Sequence, residues 1–342
     1  MTGTEPMTDP AANPADPELL SREGVLRAQE RLARRLPMTP VVRSDDLDEL
    51  AGARLWLKAE NLQRGGSFKM RGALLAVERL AANGSRGVVA QSTGNHAIAV
   101  ALAAAPYALP AVLVLPEDAA PVKIARIRAA GAEVVQIGST LAERIALVER
   151  LRAERGLDVI DPYQNADVVA GQGTATAELL AQVEAAGGRL DAVVLPVGGG
   201  SAVAGACLVT EGQSILVFGA EPVAVPALTE ALRAGEPVTV AARHTIADGL
   251  RPDRIGQLAF ELAHKRLTSV LTVEEEDIAE AMRLTLTHAR LLVEPAAATC
   301  LAAALRIAAD GWGDDIGVLL SGGNVETSLV ASVLAGAPVG RS

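Results

Sequence analysis

Residues 192–207 read Ala192-Val-Val-Leu-Pro-Val-Gly198-Gly-Gly-Ser-Ala-Val-Ala-Gly-Ala-Cys207. A short β-rich apolar run, a glycine-rich turn and an Ala-rich run follow in that order. A buried strand that feeds a helix through a glycine turn is the unit of an α/β sheet. Three glycines also let the backbone approach a ligand closely and turn several N–H groups toward an anion. No Gly-Lys-Ser/Thr follows, so this is not a nucleotide P-loop. Part of a dinucleotide fingerprint is present, with Glu221 about 20 residues on, but Val203 stands where the third glycine belongs.

The same unit recurs outward from this stretch. Apolar runs at Gly87–Gln91, Ala111–Leu115, Ala132–Ile137, Leu157–Ile160, Ile215–Gly219, Ser269–Thr272 and Ile316–Leu320 read as strands. Helical patterns at Lys123–Ala130, Leu141–Glu154, Ala175–Ala185, Val225–Ala234, Glu276–Thr287 and Pro295–Ala309 alternate with them. The rhythm predicts parallel sheets with helices on both faces. Ligands of such sheets sit beyond the carboxyl ends of the strands.

Composition bounds the rest. The chain has 342 residues, enough for two domains, with 50% apolar and 21% charged residues. Its net charge of −10 and the lack of a basic run argue against nucleic acid. The uncharged stretch 97–116 is divided by Pro106, Pro110 and Pro116, so it predicts a helix and a strand rather than a membrane span. Two cysteines, Cys207 and Cys300, support no disulfide framework, and residues 1–17 read as a disordered tail without a secretory signal. A cytoplasmic location is the expectation. Of 31 Lys plus Arg, lysine occurs only at 58, 69, 123 and 265, so each lysine is a candidate for chemistry that needs a primary amine.

Four constellations carry chemistry. In Lys58-Ala-Glu-Asn-Leu-Gln-Arg-Gly-Gly-Ser-Phe-Lys69-Met-Arg-Gly-Ala73, glycines break the chain, Ser67 is placed to cap a helix, and Lys69 falls in its first turn. The helix dipole there disfavours an ammonium, which would leave Lys69 a nucleophile for a carbonyl. A solvated surface lysine is the plainer alternative. Ser92-Thr93-Gly94-Asn95-His96 joins a strand to a helix N-terminus, suited to a carboxylate, with Asn95 able to bond a ring oxygen; simple N-capping is the alternative. Gly198–Ser201 is a phosphate cup or merely a turn. Ser321-Gly-Gly-Asn324 follows another strand, and the Ser321 hydroxyl can bond a ring nitrogen without protonating it; a turn plus cap is the alternative. Amine, carboxylate cradle, phosphate cup and neutral ring partner together match pyridoxal 5′-phosphate (PLP) with an amino-acid substrate.

With Glu60-Asn-Leu-Gln63, Ala170-Gly-Gln-Gly-Thr174 and Glu294-Pro-Ala296 added in order, the chain from about Thr39 to Val330 resembles fold-type II PLP enzymes. The resemblance is to the threonine/serine dehydratase and serine racemase group. It implies a tryptophan synthase β-like α/β fold of two open, twisted, mainly parallel sheets. Residues 18–62 and 164–342 would form a large PLP-binding domain, and 63–163 a small mobile one. Lys69 would be the Schiff-base lysine and proton carrier, and Phe68 would lie near the ring. Asn95 would bond the ring oxygen, Gly198, Gly199, Gly200 and Ser201 the phosphate, and Ser321 the ring nitrogen, with Glu294 along the ring edge. Ser92, Thr93, Gly94, Asn95 and His96 would hold the substrate carboxylate, with Thr93 a second catalytic candidate.

The resemblance implies a homodimeric ammonia-lyase acting on a β-hydroxy amino acid, L-threonine or L-serine first. Dehydration of 3-hydroxyaspartate, racemisation or another β-elimination or replacement is the alternative. A nicotinamide-dependent oxidoreductase ranks behind these because it leaves Lys69 unemployed. Thr93 stands where relatives have Ser or Ala, which counts against racemisation and resembles relatives acting on hydroxyaspartate. Tyr163 stands where Asn or Phe is usual. Glu221 matches the first acid of a cation site in relatives, but Ala227 replaces the second, so no metal is expected. Only 18 residues follow Asn324, so no regulatory domain is expected after it.

Overall fold

The structure, a computed structural model, describes residues 18–92, 94–138 and 140–337. Ten strands form two sheets. They are β1 (Val41–Val42), β2 (Arg54–Ala59), β3 (Val88–Gln91), β4 (Ala111–Leu115), β5 (Glu133–Gln136), β6 (Asp158–Val159), β7 (Ala192–Pro196), β8 (Leu216–Pro222), β9 (Ser269–Val273) and β10 (Asp315–Leu320). The larger sheet runs β1-β2-β10-β7-β8-β9 and the smaller β5-β4-β3-β6. All pairs are parallel except β1 with β2. Residues 1–17, expected as a disordered tail, lie outside the described residues.

Central strands are mostly apolar because both faces are covered, with Asp315 in β10 and Glu221 in β8 the charged exceptions among β10, β7 and β8 of the larger sheet. β4, β7 and β10 are buried at every residue. The core is aliphatic, and Ala dominates the helices that press on it. The helix Asn95–Ala104 stops ahead of Pro106, and Pro295 opens Pro295–Ala309 at its first turn, where a missing N–H costs nothing.

Three details differ from the sequence expectations. β2 is absent from them, because Arg54 and Lys58 interrupt its apolar pattern. Lys58 is nonetheless wholly buried and donates to Glu178 Oε2 at 2.8 Å and to Gln182 Oε1 at 2.7 Å. The helix expected from Ala175 begins at Ala166. Gly171 and Gly173, left outside the expected helix, lie inside it. A Cβ on Gly171 would stand 2.5 Å from Gly72 Cα, and one on Gly173 2.9 Å from the Gly205 carbonyl oxygen. These glycines therefore serve close helix packing. Ser67 does not cap a helix. It forms an antiparallel bridge with Gly322, and Phe68 takes the cap position before the helix Lys69–Ala82.

Candidate active site

Three parallel strands deliver the site. β10 ends one residue before Ser321, β7 leads into Gly198–Ser201, and β3 ends one residue before Ser92. Residues scattered over the chain thus meet beyond carboxyl strand ends of both sheets.

Lys69 opens its helix and is partly buried. Its Nζ donates to Ser201 Oγ at 3.1 Å and lies 5.0 Å from the centre of the Phe68 ring. Burial lowers the ammonium to about 8, opposed by Asp161. The helix dipole invoked from the sequence is therefore not the leading cause. Ser201 begins the helix Ser201–Val209 after Gly200, whose φ of +97° favours glycine. A Cβ on Gly199 would fall 1.9 Å from Tyr163 Cδ1, so the loop is pressed against that ring. The Tyr163 hydroxyl accepts from Gln91 Nε2 at 3.2 Å, which ties the glycine loop to the end of β3.

Backbone bonds stitch the Lys69 segment to the Ser321 segment. Phe68 N–H donates to the Ser321 carbonyl at 3.0 Å, Gly323 N–H to that of Gly66 at 2.9 Å, and Glu294 N–H to that of Gly322 at 3.0 Å. Ser321 is buried. Asn95 donates through Nδ2 to Glu294 Oε1 and accepts through Oδ1 from Asn324 Nδ2 at 2.9 Å. The Gly94 N–H donates to Ser92 Oγ at 2.9 Å. His96 is buried, with Nε2 bonded to the Ile160 carbonyl at 3.0 Å. Burial and the nearby Lys69 hold it neutral, at about 3. Thr93 lies outside the described residues.

So Lys69, Phe68, Ser201, Ser321, Asn95 and Glu294 are brought together, with Gly198–Gly200, Ser92, Gly94 and His96 around them. Three residues that received no role from the sequence join them. Lys123 Nζ lies 2.7 Å from Asp248 Oδ2 and 3.6 Å from Glu294 Oε2, and Arg126 Nη1 donates to Asn324 Oδ1. The lysine count was the available signal for Lys123. Glu294 is buried, its Oε2 has no hydrogen-bond partner among the described residues, and burial pushes it up to about 7 against the pull of Lys123.

Glu221 lies elsewhere, and both its oxygens accept backbone N–H groups, from Leu228 at 3.0 Å and Thr229 at 2.9 Å. It thereby caps the helix Ala227–Ala234. Among the described residues no group of three or more His, Cys, Asp or Glu is arranged to hold a metal, and no helix is long and apolar enough to cross a membrane. Cys207 and Cys300 are buried and unpaired as disulfides.

Known proteins resemble this chain in sequence and fold. The family model described as pyridoxal-phosphate dependent enzyme matches residues 33–322. An L-threo-3-hydroxyaspartate ammonia-lyase of Saccharomyces cerevisiae is 36% identical over 315 residues, which is 91% of this chain and 95% of that protein. A serine racemase of Dictyostelium discoideum is 37% identical, over 91% of this chain and 96% of its own. The crystal structure of a threonine deaminase from T.th. superimposes with a TM-score of 0.84 at 41% identity, over 90% of this chain and 99% of that one. Fold and sequence agree: the chain belongs to the fold-type II pyridoxal-phosphate dependent enzymes, in the threonine/serine dehydratase and serine racemase group, with pyridoxal 5′-phosphate its cofactor.

Proposed function

We propose that the protein is an ammonia-lyase that converts a β-hydroxy amino acid to a 2-keto acid and ammonia. The observation that carries this reading is Lys69. Its amine is desolvated and faces the Ser201 hydroxyl at the head of the glycine-loop helix.

The residues present fit the cofactor. A cup whose Gly199 has no room for a Cβ and whose helix N-terminus offers unpaired N–H groups suits a phosphate. Gly198, Gly199, Gly200 and Ser201 would hold it, Phe68 and Glu294 would flank the ring, and Asn95 and Ser321 would meet its oxygen and nitrogen. When bound, the cofactor supplies an electron sink for the bond broken at the substrate α-carbon.

The chain supplies the rest. Lys69 moves the α-proton, for which an amine near 8 is suited. The Ser92–His96 loop orients the substrate carboxylate through backbone N–H groups, and the neutral His96 adds no charge to it. Ser321 offers a hydroxyl and no charge, so it leaves the ring nitrogen unprotonated. Thr93 is our second catalytic candidate, through its hydroxyl. We also propose that residues 63–163 close over the bound substrate and that the assembly is a homodimer. Sedimentation checks the assembly.

L-threonine and L-serine are the first substrates of this reading. A second, 3-hydroxyaspartate, is supported by likeness to the ammonia-lyase named for it. A second substrate carboxylate needs a cation, and the buried Arg144, within electrostatic reach of Tyr163, is the candidate.

The test is 2-keto acid release by the PLP-loaded protein from L-threonine, L-serine, their D-forms and both 3-hydroxyaspartate epimers. Release from L-threonine or L-serine supports the first substrate class. Release from hydroxyaspartate alone, lost in Arg144→Leu, supports the second. Lys69→Ala should lower either by at least about a hundredfold. Silence across the panel overturns the ammonia-lyase reading.

A further inference from the structure

Two donor-bearing side chains sit one turn apart on the helix Pro121–Ala129, and both reach the site. Lys123 meets Asp248 and Glu294, and Arg126 meets Asn324. An unbroken line of side chains joins them. Arg126 Nη1 donates to Asn324 Oδ1, Asn324 Nδ2 to Asn95 Oδ1, and Asn95 Nδ2 to Glu294 Oε1. Lys123 then faces the other oxygen of Glu294 at 3.6 Å.

A carboxamide offers oxygen on one side and nitrogen on the other, and it can be turned over. Here the ends decide. A guanidinium has no acceptor, so Asn324 must turn its oxygen to Arg126. Its nitrogen then serves two acceptors, the Gly65 carbonyl at 2.9 Å and Asn95 Oδ1 at 2.9 Å. Asn95 must in turn direct its nitrogen to Glu294. Every bond points the same way, from Arg126 to the carboxylate. Gly66, at φ +77°, makes room for the first link, since a Cβ there would stand 2.5 Å from Asn324 Oδ1. The charged groups facing Glu294 are Lys123 and Asp248.

We propose that Arg126, acting through Asn324, is a positioning residue that fixes the Asn95 carboxamide as a hydrogen-bond donor toward the oxygen of the cofactor ring. The inference rests on the reading above in which Asn95 faces that oxygen. The Asn95 nitrogen carries two hydrogens. One goes to Glu294, and the second is left for the ring oxygen. Without Arg126 the Asn324 oxygen loses its donor and the polarity of the line rests on the Gly65 carbonyl and Glu294 alone, so Asn95 is more readily turned to present an acceptor toward an oxygen that bears negative charge.

The test uses holoenzyme and reads the visible absorption band of bound PLP and its retention on dilution. Arg126→Met and Asn324→Asp are compared with Arg126→Lys and Asn95→Ala. Asn324→Asp keeps the shape and the contact to Arg126 but removes the donor, so it stands in should Arg126→Met fold poorly. Both should move the band and weaken retention roughly tenfold, the scale of one oriented hydrogen bond. Arg126→Lys restores a donor and should return both readouts to wild type. A band unmoved in either Arg126→Met or Asn324→Asp, while Asn95→Ala moves it, overturns the inference alone. A band unmoved in Asn95→Ala overturns the placement of Asn95, and the inference with it.

Discussion

Two clusters of buried charge adjoin the Lys69 segment, and they are built on opposite rules. The first is saturated. Arg71, two residues after Lys69, donates twice to Glu60 and twice to Glu178, at 2.7–2.8 Å. Lys58 adds bonds to Glu178, Gln182 and the Thr39 carbonyl. Glu178 is accordingly held below the usual carboxylate range by Arg71 and Lys58 despite its burial. The second cluster runs short. Glu294 has one oxygen without a hydrogen-bond partner among the described residues, and burial raises it to about 7 in spite of Lys123. A saturated cluster holds elements together over the whole pH range of a cell. A cluster left short keeps a proton equilibrium beside the reacting groups, where it can be used.

The largest expected effect falls on the saturated cluster. Arg71→Met strands two buried carboxylates and should cost about 3–5 kcal/mol of stability. The loss should be equal with and without PLP in denaturant melts. A cost below about 1 kcal/mol would erase the contrast.

The second effect belongs to Glu294 and depends on pH. Its folded pKa is raised from 4.5 to about 7, so the folded state holds that proton more tightly than the unfolded chain. The stability this confers is full below pH 4.5 and lost as pH rises through about 7. Glu294→Gln lacks the equilibrium. It should therefore gain on wild type by up to about 1.4 kcal/mol per pH unit across that window. Urea titrations at pH 5 and 8 measure it, and parallel curves would show that Glu294 does not titrate there.

A smaller effect separates the roles of Lys123. With its cation gone, Lys123→Met should let Glu294 protonate at higher pH, moving the acid limb of kcat upward by about one unit. A uniform fall in rate without that movement would make Lys123 purely structural. The smallest effect is expected from Tyr163→Phe. It loses one neutral bond to Gln91 and should cost about 0.5–1.5 kcal/mol, read as a modest fall in Tm.

The contrast also shows where sequence reasoning stops. Parallel α/β order is legible because central strands bury both faces and so read as unbroken apolar runs. β2 is hidden by Lys58, whose burial is made possible by Glu178, 120 residues away. The early start of the helix Ala166–Ala185 is hidden because the helical pattern starts only after Gly171 and Gly173, whose place is set by the packing of Gly72 and Gly205 against them. Lys69, Asn95, Ser201, Glu294 and Ser321 stand out because each sits at a strand end or helix start with a recognisable neighbourhood. Lys123, Arg126 and Asp248 do not, since nothing local distinguishes them. Asp248 meets Lys123 across 125 residues of chain, and only the packing of the helix Pro121–Ala129 against the larger-sheet loops creates that pair.

The burial of Lys58 and Lys123 also affects how the molecule would answer reagents. Of the four lysines, these two are enclosed and ion-paired, Lys69 is partly enclosed, and Lys265 is exposed. An acylating probe applied to the native fold should therefore mark Lys265 first. Among the lysine-containing peptides, a carbonyl compound admitted to the cleft and fixed by mild reduction should mark one more, the one containing Lys69. A tag on Lys58 or Lys123 would itself report that the fold had opened.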